Sequence, residues 1–183
     1  MCGIFAVIGS REVSPLLIDG LRKLEYRGYD SAGIATINNL NNDQIGKLNV
    51  TKSKGKLINL SNLIKKKPPK GHVGIAHTRW ATHGRPDERN AHPHLDSSGQ
   101  IAVVQNGIIE NYRELAEILR VEGINLTSDT DTEIIPHLIG LEIKKSLANG
   151  LSTSEQTLLR AVQKVMTALE GTYAIAVVWS KAP

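Results

Sequence analysis

Cysteine occurs once in this sequence, at position 2. With Met1 removed, Cys2 becomes the N-terminal residue and carries a thiol and a free α-amine on one Cα. An α-amine ordinarily titrates near pH ~8, so it can act as base toward its own side chain, and the thiolate is the nucleophilic form. One residue then supplies both nucleophile and base. A small buried hydrophobe at the start of a first strand is the alternative reading. Asn106-Gly107 is a second candidate pair. A side-chain amide beside a glycine N–H offers two donors to a developing oxyanion, and one such donor is worth roughly 2.7–4 kcal/mol in an acyl-transfer transition state. Asn-Gly is also the preferred pair of a two-residue hairpin turn. Arg79 and Asp131 are a third pairing. A guanidinium grips a carboxylate through two parallel hydrogen bonds, and a carboxylate takes an ammonium, so the two together can read both ends of a free amino acid. Taken singly, Arg79 also suits a surface ion pair. Asp131 also suits a first-turn acid of a helix, with Thr130 and Glu133 as its capping box.

The elements that must position these residues can be followed along the chain. Gly3 to Gly9 reads as a buried strand. Ser14 as N-cap, Pro15 as first residue and a Val13–Ile18 staple predict a helix with Leu17, Leu21 and Leu24 on one face and Gly28 as terminator. Ala32 to Ile37 is a strand, Asn38 to Asp43 a polar turn, and Leu48 to Thr51 a short strand. Lys56 to Lys67 is helical and is stopped by Pro68-Pro69. Val73 to His77 is a strand that runs into a long irregular stretch, Thr78 to Ser98, and Ile101 to Gln105 is a strand that leads into Asn106-Gly107. Asn111 with Glu114 predicts a capped helix ended by Gly123; Asp131 to Ala148 is helical, with Pro136 expected to kink or delay it. Ser152 with Glu155 caps a last helix, whose apolar face is Leu158, Leu159, Val162, Val165, Met166 and Leu169, and Thr172 to Trp179 is the final strand. Neighbouring strands interspersed with helices predict an α+β fold with antiparallel sheets.

Composition narrows the class. The 183 residues suit one domain that can bury roughly 70% of its unfolded surface without staples. A single cysteine excludes an intrachain disulfide and favours a reducing compartment. Met1 to Ile8 lacks the basic stretch of a signal peptide, and no apolar run approaches the ~18 residues of a membrane span, so a cytoplasmic protein with no membrane partner is expected. The net charge of +4 is local: Lys47 to Lys70 holds eight lysines and no acid, leaving 14 basic against 18 acidic residues elsewhere. That pattern is a solvated basic segment on a mildly acidic domain, and nucleic acid is not expected as a partner. Asp129-x-Asp131-x-Glu133 is no calcium loop, since Ile134 and Gly140 stand where glycine and glutamate are needed. His77, His83, His92 and His94 lack a second cysteine or a helical His pair, so no metal is expected. No glycine-rich phosphate loop is present, and nothing calls for a cofactor. The chain stops just after a strand, as a segment of something longer would.

Six blocks carry a family resemblance: MCGI at 1–4, LEYRGYDSAG at 24–33, HTRWATHG at 77–84, NAHPH at 90–94, QNGIIEN at 105–111 and SDTDTE at 128–133. In this order they closely resemble the glutaminase domain of the glucosamine-6-phosphate synthase family. That family lies within the class II glutamine amidotransferases, which are N-terminal-nucleophile hydrolases. The likeness runs from Cys2 to about Trp179. It implies a four-layer αββα sandwich of two antiparallel sheets. Residues 1–183 would form one glutamine amidotransferase type 2 (glutaminase) domain, and the C-terminal sugar-phosphate isomerase domains are absent from this chain. By the same resemblance Cys2 is the nucleophile and its α-amine the base, with Asn106 and Gly107 as the oxyanion hole. Arg79 takes the carboxylate of L-glutamine and Asp131 its α-amine. Trp80, Thr82 and His83 lie on a loop that closes over glutamine, and Arg27 and His92 support the site. The implied reaction yields glutamate and ammonia through a γ-glutamyl thioester. In the whole enzyme the ammonia reaches a C-terminal synthase domain and aminates fructose-6-phosphate; this chain alone is expected to release it to water. Rival readings are the glutaminase of glutamine phosphoribosylpyrophosphate amidotransferase, a non-catalytic binding module on the same scaffold, and a nucleic-acid binder using Lys47 to Lys70. Arg79-Trp80 and the 24–33 block favour the sugar enzyme over the first of these. Cys2, Arg79, Asn106, Gly107 and Asp131 speak against the second, and the even charge elsewhere against the third.

Overall fold

Successive residues of a strand face opposite sides, so alternation decides which layer each side chain joins. The computed structural model describes residues 2–38, 46–82 and 84–182. In chain order its elements are β1 (Gly3–Ile8), α1 (Ser14–Arg22), β2 (Ser31–Asn38), β3 (Lys47–Lys54), α2 (Leu57–Lys66), β4 (Val73–Arg79), β5 (His94–Leu95), β6 (Ile101–Ile109), α3 (Tyr112–Val121), α4 (Ile134–Ala148), α5 (Glu155–Met166) and β7 (Gly171–Trp179). Single 3₁₀ turns stand at Glu25–Arg27 and Asp131–Glu133. The strands form two sheets, ordered β1-β4-β2-β3 and β5-β6-β7, and every pairing is antiparallel.

Three apolar clusters fill the spaces between four layers. Val13, Leu17 and Leu21 of the α1 region and Leu57, Leu60 and Ile64 of α2 pack on Ala32, Ile34 and Ala76 of the first sheet. Ala35, Ile37, Val73 and Ile75 of that sheet face Ala102, Val104 and Val178 of the second. Ile101, Val103, Ile109 and Trp179 turn the other way, against Leu115 and Leu119 of α3, Ile135, Ile139 and Ile143 of α4, and Ala161 and Val165 of α5. The result is the expected αββα sandwich. Leu17, Leu21 and Leu60 have no exposed surface, and burying such a side chain contributes roughly 1.5–3 kcal/mol each.

Several boundaries differ from expectation, each for a local reason. Val13, with no side-chain cap, holds the N-cap position of α1, and Ser14 is its first residue. The helix ends at Arg22; a separate 3₁₀ turn over Glu25–Arg27 intervenes before Gly28, whose φ of 73° closes that turn. Asn111 makes no cap bond. Its side chain instead donates to the Ala168 carbonyl at 2.9 Å and accepts from the Glu170 N–H at 3.0 Å, tying the start of α3 to the α5–β7 turn. Ser154, not Ser152, caps α5 by accepting from the Thr157 N–H. Pro136 lies in the first turn of α4, where no intrahelical donor is missed, so the helix runs unbroken to Ala148. Of the polar turn expected over 38–43, only Asn38 is among the described residues, and it ends β2. The lysine-rich segment supplies β3 and α2, with Lys65 and Lys66 in the helix's last turn.

Candidate active site

On β4 the inter-sheet face carries Val73 and Ile75, so alternation puts His77 and Arg79 on that same face. On β6 the inner residues Ala102 and Val104 are followed by Asn106. On β1 Ile4 packs inward and Cys2 shares its parity. The register Gly3↔Thr78 brings Cys2 beside Arg79 and Trp80. At one end of the sandwich, therefore, the inner layer changes from Val, Ile and Ala to His77, Arg79, Asn106 and Cys2.

Cys2 is held by the turn that ends β4. The Trp80 N–H donates to its Sγ at 3.3 Å, and Sγ lies 3.7 Å from the Trp80 carbonyl. The Arg27 Nη1 donates to the Cys2 carbonyl at 3.4 Å, which places this side chain against the Cys2 backbone. Arg79 is only 4% exposed, which excludes a surface ion pair; its guanidinium stands 4.0 Å from the Asp30 carboxylate. That carboxylate also accepts from the Ser31 hydroxyl and the Ala81 N–H, while the Asp30 N–H donates to the Arg79 carbonyl at 2.7 Å. Asp30 thus clamps the Arg79–Ala81 turn, a role that its sequence neighbourhood did not reveal. Trp80 is 54% exposed and Thr82 is exposed, on the irregular stretch after β4. His83 lies outside the described residues.

Asn106 and Gly107 sit inside a strand, not at a hairpin turn. β6 continues to Ile109, paired with β7 through Gly107↔Tyr173 and Ile109↔Gly171. Gly107 has φ +110°, and a Cβ there would stand 2.0 Å from the Thr172 carbonyl oxygen, so only glycine fits. The Asn106 Oδ1 lies 2.8 Å from the His77 Nε2. Asp131 is buried, and its Oδ2 accepts from the Ile109 N–H at 2.8 Å, fastening the 3₁₀ turn to the end of β6. The expected capping box is absent. Thr130 makes no cap bond, and Glu133 reaches back to accept from the Thr127 N–H (2.8 Å), the Thr127 hydroxyl (2.7 Å) and the Ser128 N–H (2.6 Å). Burial pushes the Glu133 carboxyl up, but His137, Ser128 and Thr127 outweigh it and hold the group well below the usual range.

Behind Asn106 stand three buried imidazoles. His92 stacks on His77 with centroids 4.2 Å apart, and His94 meets His92 edge-on at 5.0 Å. Gly33 makes room for this segment: a Cβ there would lie 2.2 Å from the His92 carbonyl oxygen. Burial pushes His77 down to about 4; burial and then the charge of Lys52 push His94 down to about 3; burial and the neighbouring histidines carry His92 well below its ordinary value. All three are neutral near pH ~7. The His92 Nδ1 accepts from the Gln105 N–H at 3.3 Å, His94 Nε2 lies 3.0 Å from the Thr130 hydroxyl, and Thr132 donates to the Gln105 side chain at 2.6 Å. Among the described residues no three His, Cys, Asp or Glu side chains converge to hold a metal ion.

The model of the glutamine amidotransferase domain family matches residues 77–182. A glutamine–fructose-6-phosphate aminotransferase (isomerizing) from Thermosynechococcus vestitus is 51% identical over 100% of this chain and 27% of its own length. One from Clostridium acetobutylicum is 48% identical with the same coverage. The chain thus spans 27% of the length of these curated relatives. Among solved structures, glutamine phosphoribosylpyrophosphate amidotransferase from B. subtilis, complexed with ADP and GMP, matches with TM-score 0.75 at 26% identity, covering 98% of this chain and 35% of that one.

Proposed function

Because this chain belongs to the glutamine amidotransferase family and has the fold of the N-terminal-nucleophile hydrolases, we propose that it hydrolyses L-glutamine to L-glutamate and ammonia, with Cys2 as the nucleophile. The observation that carries this reading is the convergence of Cys2, Arg79 and Asn106 at one end of the inner layer, with the Trp80 N–H on the sulfur. Once Met1 is removed, the α-amine of Cys2 takes the thiol proton and Sγ adds to the side-chain amide carbon. The oxyanion accepts from the Asn106 amide and the Gly107 N–H, in a setting preorganised by β6. The α-ammonium then protonates the departing ammonia, leaving a γ-glutamyl thioester. The same amine activates the water that cleaves the thioester and frees glutamate. Arg79 and Asp131, both buried, take the substrate's α-carboxylate and α-ammonium. Trp80, Thr82 and His83 cover the bound glutamine, and Arg27 and His92 support the site.

The domain, residues 1–183, is in this reading the ammonia-supplying half of an enzyme that makes glucosamine-6-phosphate from fructose-6-phosphate, with a sugar-phosphate isomerase domain as its partner. Identity near 50% to glutamine–fructose-6-phosphate aminotransferases, against 26% to the phosphoribosylpyrophosphate enzyme, supports that choice of acceptor. The greater length of the relatives leaves room for such a partner domain. A reducing cytosol suits a single catalytic thiol. The test is glutamate release from L-glutamine by the purified protein with Cys2 as its first residue. Wild-type turnover is expected, and Cys2→Ala is expected to abolish it without change in thermal stability. Turnover in Cys2→Ala above the assay background would refute the assignment.

A further inference from the structure

An amide donor helps an oxyanion only if it presents its N–H side. Asn106 has a planar carboxamide whose two ends are nearly isosteric. Turned one way about χ2 it offers two N–H donors to the reaction, and turned the other way it offers an oxygen that repels the developing charge. Something must choose between the two, and the nearest group able to do so is His77.

His77 and Asn106 face each other across the inter-sheet space, and the His77 Nε2 lies 2.8 Å from the Asn106 Oδ1. A carboxamide oxygen carries no hydrogen, so the imidazole is the donor and its proton sits on Nε2. The rest of the ring agrees: the His77 Nδ1 is buried with no hydrogen-bond partner among the described residues, and a proton placed there would be an unmade donor. The ring itself is held in place. It stacks on His92 at an interplanar angle of 17°, and the His92 Nδ1 accepts from the N–H of Gln105, the residue next to Asn106 on β6. His77 and Asn106 are therefore referenced to the same strand. The array continues through His94 to Thr130, which adjoins Asp131.

We propose that His77 is a positioning residue of the glutaminase reaction: its Nε2–H fixes the Asn106 carboxamide with the N–H side turned to the oxyanion. This rests on the function proposed above. The bond also polarises the amide, so that the free N–H becomes the stronger donor. Because His77 acts through Asn106, its removal should lower kcat by about 10- to 100-fold. That is less than the ~10²- to 10³-fold loss from deleting an oxyanion donor outright. KM for glutamine, set by Arg79 and Asp131, should stay within about 2-fold.

A double-mutant cycle on glutamine hydrolysis tests this. His77→Leu is expected to reduce kcat as stated in the otherwise wild-type protein, but by less than about 3-fold in an Asn106→Ala background. A purely structural role would make the two losses multiply, and that result would overturn the assignment. His77→Gln, which restores an N–H at similar reach, is expected to recover most of the lost kcat. A variant-free readout guards against misfolding of His77→Leu. Long-range ¹H–¹⁵N spectra of the wild-type protein should show His77 as the Nε2–H tautomer, and the Nδ1–H tautomer would overturn the proposal. An active enzyme with a multiplicative cycle refutes only the role of His77. A wild-type protein that does not hydrolyse glutamine refutes the proposed function and this inference together.

Discussion

Lowering the pH from 6.5 to about 5.5 should strip this domain of on the order of 3 kcal/mol of stability, and the loss should come from His77, His92 and His94. Each is buried and neutral, with its pKa pushed far below the ordinary 6.5 by burial. In the unfolded chain all three regain that ordinary value and take up protons as pH falls through it. Between the folded and unfolded pKa values the unfolded state binds more protons, so stability drops as the solution is acidified. For one histidine the loss over this unit is RT ln[(1 + 10)/(1 + 1)], or ~1 kcal/mol, and three give ~3 kcal/mol. Charges around the array reinforce the neutral state on two sides: Arg79 disfavours protonation of all three rings, and Lys52 that of His92 and His94. Glu133 opposes them at His94. Glu133 has the opposite sign and a different window. Its depressed pKa stabilises the fold above its ordinary 4.5 and is lost only below that, outside the interval measured. Urea denaturation at fixed ionic strength should show the fall directly. In thermal scans it corresponds to roughly 6–12 °C for a domain of this size. Replacing His94 with Gln should remove about a third of the slope. A stability that changes by less than ~1 kcal/mol between these two pH values would mean that the imidazoles are solvated or already charged in the folded protein.

Two further substitutions separate fold from chemistry. Gly107→Ala combines a left-handed φ with a Cβ 2.0 Å from the Thr172 carbonyl, so it should destabilise by at least ~2 kcal/mol and abolish glutamine hydrolysis. Wild-type stability in that variant, read from urea unfolding, would mean that β6 does not approach β7 so closely at this point. Asp131→Asn keeps an oxygen to accept from the Ile109 N–H, so stability should stay within ~1 kcal/mol of wild type. It removes the charge offered to the substrate ammonium, and a charged hydrogen bond of ~1.5–3 kcal/mol corresponds to a 10- to 100-fold rise in KM for glutamine. An unchanged KM in steady-state assays would take Asp131 out of substrate binding.

Alternation and chain order made an α+β fold with antiparallel sheets legible, and the family resemblance of the six sequence blocks implied the four layers and the candidate site residues. What the sequence hid lies at the strand ends. The expected strands stop at His77 and Gln105 because apolar alternation stops there, yet the backbone ladder continues to Arg79 and Ile109. Hydrophobic pattern reports burial against apolar neighbours, and it fails where the inner layer turns polar while the strand geometry persists. Continuing the parity of Val73 and Ile75 by two steps reaches His77 and Arg79, and continuing that of Ala102 and Val104 by one reaches Asn106. That continuation would have put all three on the inner face. It would not have supplied the contact between His77 and Asn106, 29 residues apart, because that depends on how one sheet lies over the other. The capping boxes misled for the converse reason. Asn111 and Glu133 satisfy the local spacing rule, but each finds better-placed backbone groups, Asn111 at Ala168 and Glu170 and Glu133 at Thr127 and Ser128. At Glu133 those bonds shape the 127–131 loop and so set where Asp131 meets Ile109. The residue that the sequence offers as a helix cap thus positions the Asp131 carboxylate, the group proposed to take the substrate ammonium, and this role depends on the folded loop and on no local motif.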